Sequence, residues 1–298
     1  MSEMKDALVI GAGPAGASCA LWLERLGFSC LLAEARGHAG GLLNDSPYRN
    51  DWIVTQPGVT GIDLSEGIGL SLAAAGVPML LGARARKAER FGDGFRVTFD
   101  LPNDRVREID AARLVIATGV QPRSGPFRAS ERVIIGPGHR AATYDYAGKS
   151  VAILGGGDNA FENHGFVKRA GAREVHIYAR TVRASGVFAA QVPEADISTG
   201  PFEADHEDVR VNGRIYDVIL VMFGWEPASF FETGFTLDRN PAGFFLTDFQ
   251  TCETSAPGVF AIGEVTAGRH PCVVTAMSDG IAAAKAIQRQ LERAALPG

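Results

Sequence analysis

Two glycine-rich stretches hold the residues whose spacing points most directly to chemistry. Gly11, Gly13 and Gly16 form G-x-G-x-x-G in "VIGAGPAGA", directly behind the apolar run "ALVI", with Pro14 and Ala15 completing the turn. Gly155, Gly157 and Ala160 form G-x-G-x-x-A in "ILGGGDNA", again behind an apolar run. Such a turn leaves a strand and opens a helix. Its first glycine permits the tight bend, and the second lets backbone approach a pyrophosphate. The third small residue lets helix and strand pack closely, and the helix N-terminus attracts negative charge. Glu34 lies 23 residues after Gly11, with Ala35 beside it, at the end of the next strand. An acid there suits the ribose hydroxyls of an adenosine. The same count from Gly155 reaches Tyr178, which leaves NADH without its usual acidic contact. Nearby, "YARTVRAS" supplies Arg180 and Arg183. They are either partners for the 2′-phosphate of NADPH or solvated loop charges.

The elements that must hold these residues surround them. Residues 6–36 run strand, glycine turn, helix, strand, and residues 149–180 repeat that order. The strands are continuous apolar runs, suited to a sheet buried on both faces. Between the units, "ARARKAERFGDGFRVTFD" and "VREIDAARLVIATG" predict a small antiparallel meander returning to a parallel strand at 114–117. The run "YDVILVMFG" (216–224) closes the second unit. A strand ending at Ile262 and an amphipathic helix from about Val274 to Leu291 follow. The fold class is therefore expected to be α/β, with two Rossmann-like dinucleotide-binding domains, one inserted in the other. Glycine and proline mark crossings near 119–123 and 224–227. They give 1–119 with 228–298 as the outer domain and 120–227 as the inserted one, which is short between Ala184 and Tyr216.

The totals narrow the function. At 298 residues and 46% apolar composition, the chain holds one large or two ordinary cores and is too apolar for disorder. A net charge of −5 disfavours a nucleic-acid partner. No apolar run is long enough to cross a bilayer, and the N-terminus goes from a short polar lead straight into a strand, so a cytoplasmic protein is expected. Cys19, Cys30, Cys252 and Cys272 show neither CxxC nor zinc spacing, so no metal is expected. Cys19 and Cys30 fall in the first helix and the following strand, as small buried apolar side chains.

Several segments together resemble the low-molecular-weight thioredoxin reductase family of flavoproteins. They are "VIGAGPAGASCA", "AGGLLN" (39–44), "QPG" (56–58), "LVIATGVQPR" (114–123), "APGVFAIGEV" (256–265) and "TAMSDGIAAAKAI" (275–287), in that family's order. The resemblance implies that the outer domain binds FAD and the inserted one a nicotinamide nucleotide, which Arg180 and Arg183 would make NADPH. It assigns Glu34 to the adenosine ribose and the backbone at 84–85, with Ala85, to the adenine. Gly41, Leu42, Asn44 and Gln56 go to the neighbourhood of the flavin, and Ala117, Thr118 and Gly119 join the cofactor site. Gly263 and Glu264 go to the ribityl-pyrophosphate, although the family usually has Gly-Asp there. Thr275 and Ala276 go to the flavin's pyrimidine edge, where a helix N-terminus stabilises negative charge. A homodimer is also implied.

One departure changes the chemistry. Where the family carries a redox pair of cysteines two residues apart, residues 138–142 read Gly-His-Arg-Ala-Ala. A disulfide needs two thiols in reach of each other, so thioredoxin reduction by the family route is not expected. Cys272 in "HPCVVTAM" is the remaining sulfur candidate, either near the flavin or a packing residue. His270 is either a proton relay or a surface histidine, and Cys252 is expected on a surface loop. His139, Arg140, Tyr144 and Tyr146 either line a pocket or cap their loop. The expected function is an FAD-dependent NAD(P)H oxidoreductase of thioredoxin reductase-like fold. It passes electrons directly from flavin to an acceptor, a small molecule or a small redox protein such as a ferredoxin. The alternatives are a flavin oxidase or monooxygenase, and a flavin-binding module with a vestigial nucleotide domain.

Overall fold

The computed structural model describes residues 4–228 and 231–295. Residues 1–3 of the polar lead, 229–230 and 296–298 lie outside them. The chain divides into two compact units, Met1–Val120 with Glu226–Gly298, and Gln121–Trp225. In chain order the first unit begins with β1 (Lys5–Ile10), α1 (Pro14–Arg25), β2 (Cys30–Glu34) and α2 (Gly61–Ala75). It continues with β3 (Met79–Leu81), β4 (Arg84–Phe91), β5 (Gly94–Leu101) and β6 (Arg105–Ile116). The second unit supplies β7 (Val133–Ile135), β8 (Ser150–Leu154), α3 (Asp158–Arg169), β9 (Glu174–Ala179), β10 (Ile197–Thr199) and β11 (Val218–Val221). The chain then returns to the first unit as β12 (Glu232–Thr233), β13 (Val259–Ala261) and α4 (Val273–Ala295).

The sheet of the first unit has the order β12-β4-β5-β6-β1-β2-β3, with β13 also on β6. β6 serves two sheets in one. Its first half pairs antiparallel with β5, from Leu101–Arg105 to Phe95–Ala111. Its second half runs parallel between β1 and β13, with Leu114 opposite both Leu8 and Val259. The meander and the parallel strand foreseen at 114–117 are thus one continuous element. Both faces of the parallel strands are covered, which explains their unbroken apolar sequence. Val9, Leu32, Val115 and Phe260 face the layer of α1, α2 and α4. Leu8, Leu31, Leu114 and Ile116 face Phe95, Val97 and Phe99 of the meander. Leu8, Leu32 and Leu114 are fully buried, each contributing about 1.5–3 kcal/mol by transfer from water.

The sheet of the second unit has the order β7-β11-β8-β9-β10 and is parallel throughout. Three two-residue strands, Ala204–Asp205, Arg210–Val211 and Arg214–Ile215, form a small antiparallel meander beside it. Tyr178 and Tyr216 join their hydroxyls at 2.8 Å inside this unit's core.

In the first unit, α1 and α4 cross at very short range. A Cβ built on Gly280 would lie 2.4 Å from the Ala15 carbonyl oxygen and 2.8 Å from the Cys19 nitrogen. These neighbours are backbone and cannot step aside. Gly280→Ala is expected to lower the stability of the first unit by about 1–3 kcal/mol, measured as a fall in the urea midpoint. An unchanged midpoint would mean that the two helices separate freely.

Candidate functional site

The glycine turn of the first unit is built around space that only hydrogen can fill. Gly11 has φ +105°, and a Cβ on it would sit 2.4 Å from the Ala117 carbonyl oxygen. One on Gly16 would sit 1.9 Å from the Gly11 carbonyl oxygen. Around Gly13 the only atom within 4 Å of such a Cβ is Gly41 Cα at 3.8 Å, so its backbone is open to a ligand. Pro14 occupies the first turn of α1, where its missing N–H removes no helical bond.

Glu34 closes β2 and is 7% exposed. Its Oε2 accepts the Ala12 N–H at 2.7 Å and its Oε1 accepts the Arg36 N–H at 2.8 Å. A carboxylate has about four acceptor sites, so room remains for ribose hydroxyls. Asn44 holds the next loop by donating to the Ala39 and Gly41 carbonyl oxygens at 2.9 and 3.0 Å. Arg36 ties that loop to the end of β2 through Asp45 at 2.7 Å. Leu42 and Gln56 are exposed. Ala85 is half-buried in β4, opposite Phe99 and beside a register shift. At the end of β6, Ala117 is buried and Gly119 has φ +68°. Between them, Thr118 Oγ1 is buried without a hydrogen-bond partner among the described residues. An orphaned hydroxyl, an open glycine, a helix N-terminus and a strand-end acid together suit the ribose and diphosphate of a dinucleotide.

The far wall comes from the C-terminal segment. Gly263 has φ +72°, and a Cβ on it would lie 2.8 Å from Ala15 Cβ. Glu264, His270, Thr275, Ala276, Arg269 and Asp279 line one cavity together with Gly263. Burial raises the Glu264 carboxyl above the usual carboxylate range. Asp279 was not anticipated from sequence; the signal was a lone acid among the small residues of "TAMSDGIAAAKAI". It is 5% exposed, accepts the Gly263 N–H at 3.2 Å and pairs with Arg269 at 2.5 Å.

Of the four cysteines, Cys19 and Cys30 are buried as expected, and Cys252 departs from its expectation. Cys252 is buried, not on the surface, and burial pushes its thiol up to about 12. The cause is the turn before it, where Asp248 accepts the Gln250 and Thr251 N–H groups and directs Cys252 beneath α4. Burial also raises Cys19, and raises Cys30 to about 12. Cys272 precedes α4, where its Sγ accepts the Thr275 N–H at 3.5 Å while Thr275 Oγ1 accepts the Cys272 N–H at 3.2 Å. His270 is exposed and its carbonyl accepts the Thr275 hydroxyl at 2.6 Å. In the segment 138–146, His139–Thr143 form a single helical turn. Tyr146 is buried and donates to the Ala141 carbonyl at 2.8 Å, and the Tyr144 ring packs against it, tilted by 55° with 5.0 Å between centroids. Arg140 donates to the Ser130 carbonyl. For Tyr146 and Arg140 the open choice resolves towards capping, while His139 is exposed.

The second unit repeats the glycine turn. A Cβ on Gly155 would lie 2.2 Å from the Met222 carbonyl oxygen, whereas Gly157 has nothing within 4 Å. Ala160 is fully buried at the start of α3. The position equivalent to Glu34, however, is not Tyr178. Gly11 donates to the Ala33 carbonyl at 2.7 Å and Gly155 to the Tyr178 carbonyl at 3.0 Å. Tyr178 therefore matches Ala33, and the strand-end acid is replaced by Ala179. The reason is one extra residue after the helix. Cys30 pairs with Ala7 three positions beyond Gly27, whereas Val175 pairs with Val151 four positions beyond Gly171. Arg180 and Arg183 are exposed on the following loop. That loop is tied across the glycine turn by the Arg183 N–H on the Gly156 carbonyl at 2.6 Å and the Ser185 N–H on Asp158 at 2.7 Å.

Comparison with known proteins gives the chain a family and a fold. The chain matches the family model described as pyridine nucleotide-disulphide oxidoreductase over residues 5–280. A ferredoxin–NADP reductase of Gluconacetobacter diazotrophicus is 30% identical over 95% of this chain and 90% of its own length. A thioredoxin reductase of Streptomyces coelicolor is 26% identical over 95% and 93%. Among solved structures, a bacillithiol disulfide reductase from Bacillus cereus has a TM-score of 0.80 at 18% identity, covering 97% of this chain and 100% of that one. Thioredoxin reductase from Lactococcus lactis has 0.78 at 23% identity, covering 97% and 99%. These structures speak to the fold, two Rossmann-type units in an α/β chain.

Glu34→Ala would leave the Ala12 N–H without its acceptor. It is expected to cost the first unit about 1–3 kcal/mol, measured by urea denaturation, with Glu34→Gln losing less because one acceptor remains. Equal losses would mean that acceptance by Glu34 does not hold the turn.

Proposed function

The chain belongs to the pyridine nucleotide-disulphide oxidoreductase family, and from that premise we propose that it is an FAD-dependent NADPH oxidoreductase whose flavin reduces its acceptor directly. One observation carries the last part. Where a thiol pair would stand there is a helical turn closed by Tyr146, and all four cysteines are free. Three of them are buried with thiols held protonated, which leaves the partly exposed Cys272 without a second reactive thiol for disulfide exchange.

The first unit fits FAD by the features already described. Glu34 takes the adenosine ribose, and Gly13 with the N-terminus of α1 takes the diphosphate. The Thr118 hydroxyl, buried without a partner among the described residues, would be free to bond the cofactor. The N-terminus of α4 favours negative charge at Thr275 and Ala276. When bound, FAD accepts two electrons from a nicotinamide and releases them to the acceptor. In the second unit, Ala179 gives no carboxylate to a ribose 2′-hydroxyl, while Arg180 and Arg183 offer charge to a 2′-phosphate. Similarity to a ferredoxin–NADP reductase supports a small redox protein as acceptor.

Anaerobic addition of NADPH is expected to bleach the flavin absorbance, and NADH to do so far more weakly. Arg180→Ala or Arg183→Ala should weaken NADPH binding about tenfold or more, the loss of one charge-assisted bond, and leave NADH unchanged by calorimetry. Absence of bleaching with both nucleotides sinks the proposal. Turnover of a disulfide substrate at the same rate as a one-electron protein acceptor would remove its direct-transfer part.

A further inference from the structure

We propose that Arg269 and Asp279 act as a pair of positioning residues. They fix the Gly263–Glu264 turn against the start of α4 and set the reduction potential of the flavin held there. This rests on the FAD function proposed above. Two separate segments converge on the Asp279 carboxylate, and a third reaches it through Arg269. Its Oδ2 accepts the Gly263 N–H at 3.2 Å, and its Oδ1 accepts Arg269 Nε at 2.5 Å. Arg269 Nη2 in turn donates to the Phe249 carbonyl at 2.9 Å, and the guanidinium lies 4.1 Å from the centre of the Phe249 ring. Both ends of the loop between the turn and α4 are pinned as well. Thr266 N–H donates to the Gly263 carbonyl at 3.0 Å, and Cys272 and Thr275 exchange hydrogen bonds at the helix start.

Burial makes this arrangement more than a surface ion pair. Glu34 and Asp279 are the two carboxylates buried among the described residues, and each accepts the backbone N–H of a turn assigned to the cofactor. A buried ion pair contributes little net stability, because desolvation offsets most of the attraction. Its consequence here is electrostatic. Arg269 and Asp279 line the same cavity as Gly263, Glu264, Thr275 and Ala276, so a charge left unbalanced on either acts on whatever occupies it. While the pair is intact, the two charges largely cancel.

The signature is a pair of shifts of opposite sign. Asp279→Asn leaves Arg269 uncompensated, which favours the negatively charged reduced flavin and raises the midpoint potential. Arg269→Gln leaves Asp279 uncompensated and lowers it. Each shift is expected to reach about tenfold in the two-electron equilibrium, ~30 mV. The double variant should return close to the parent. Both singles should also release FAD more readily in a fluorescence titration of apoprotein, because the Gly263 turn loses part of its anchor. The measurement is an equilibrium titration against a dye of known potential, on FAD-loaded protein. Shifts of the same sign, or shifts below about twofold in both variants, overturn the inference. If Asp279→Asn does not fold, Arg269→Gln alone decides it, since Arg269 is the more exposed of the two and its replacement must lower the potential. Failure of the parent protein to take up FAD at all would instead defeat the proposed function.

Discussion

The glycine-lined cradle of the first unit depends on how closely backbone can approach its neighbours around Ala15. The Gly11 turn, the Gly263 turn and the middle of α4 all reach the first turn of α1, and at each contact a Cβ would overlap. Gly263 would meet Ala15 Cβ at 2.8 Å, and Gly280 would meet the Ala15 carbonyl oxygen at 2.4 Å. A small residue at position 15 is therefore as necessary as the glycines that surround it. Interiors are packed at crystal-like density, so such contacts transmit displacement instead of absorbing it. The position of the helix N-terminus relative to the strand ends follows from this packing before any ligand is considered.

Close approach creates an electrostatic problem that the two buried carboxylates answer differently. Turns packed this tightly leave N–H groups that water cannot reach, and each needs an acceptor. Glu34 supplies one with neutral partners only, the Ala12 and Arg36 N–H groups, so its charge stays available to hydroxyl donors. Asp279 supplies the other beside a guanidinium, so its charge is balanced within the protein. A bare carboxylate suits a ribose. Under the proposed function the same charge beside a diphosphate or an electron-rich ring would repel, and Arg269 would remove that penalty.

What sequence made legible was local, and what it missed was set by distant contacts. The glycine turns, the apolar strands and Glu34 depend on neighbours within one βαβ unit, and periodicity and spacing report them. The match of Ala179 to Glu34 was out of reach because counting assumes equal turns. A single added residue between Gly171 and Val175, the partner of Val151, shifts the register by one, and a one-residue shift changes which side chain stands at the strand end. Cys252 was misplaced because a loop of polar residues resembles surface, whereas the Asp248 turn folds it inward. Asp279 stood in plain view as an acid, but its partner lies ten residues earlier on a loop whose path no pattern encodes. Tyr146 was ambiguous for the same reason, since its acceptor is a backbone carbonyl five residues away.

The fate of the sulfur atoms bears on how electrons leave the protein. A dithiol relay needs two thiols that reach each other and a thiolate to begin exchange. Burial works against the thiolate at Cys19, Cys30 and Cys252, because removing charge from water costs more than a lone sulfur gains from its surroundings. Cys272 is the partly exposed one, and there the sulfur does what a serine oxygen does at a helix start, accepting the N–H three residues on. That role accounts for the residue without redox chemistry. With one accessible thiol and no accessible second, an internal disulfide has no partner to close it. Under the proposed function, the acceptor must then come within electron-transfer reach of the flavin itself. Its recognition falls to the protein surface around the cofactor, since no mobile carrier on this chain is equipped to make the journey.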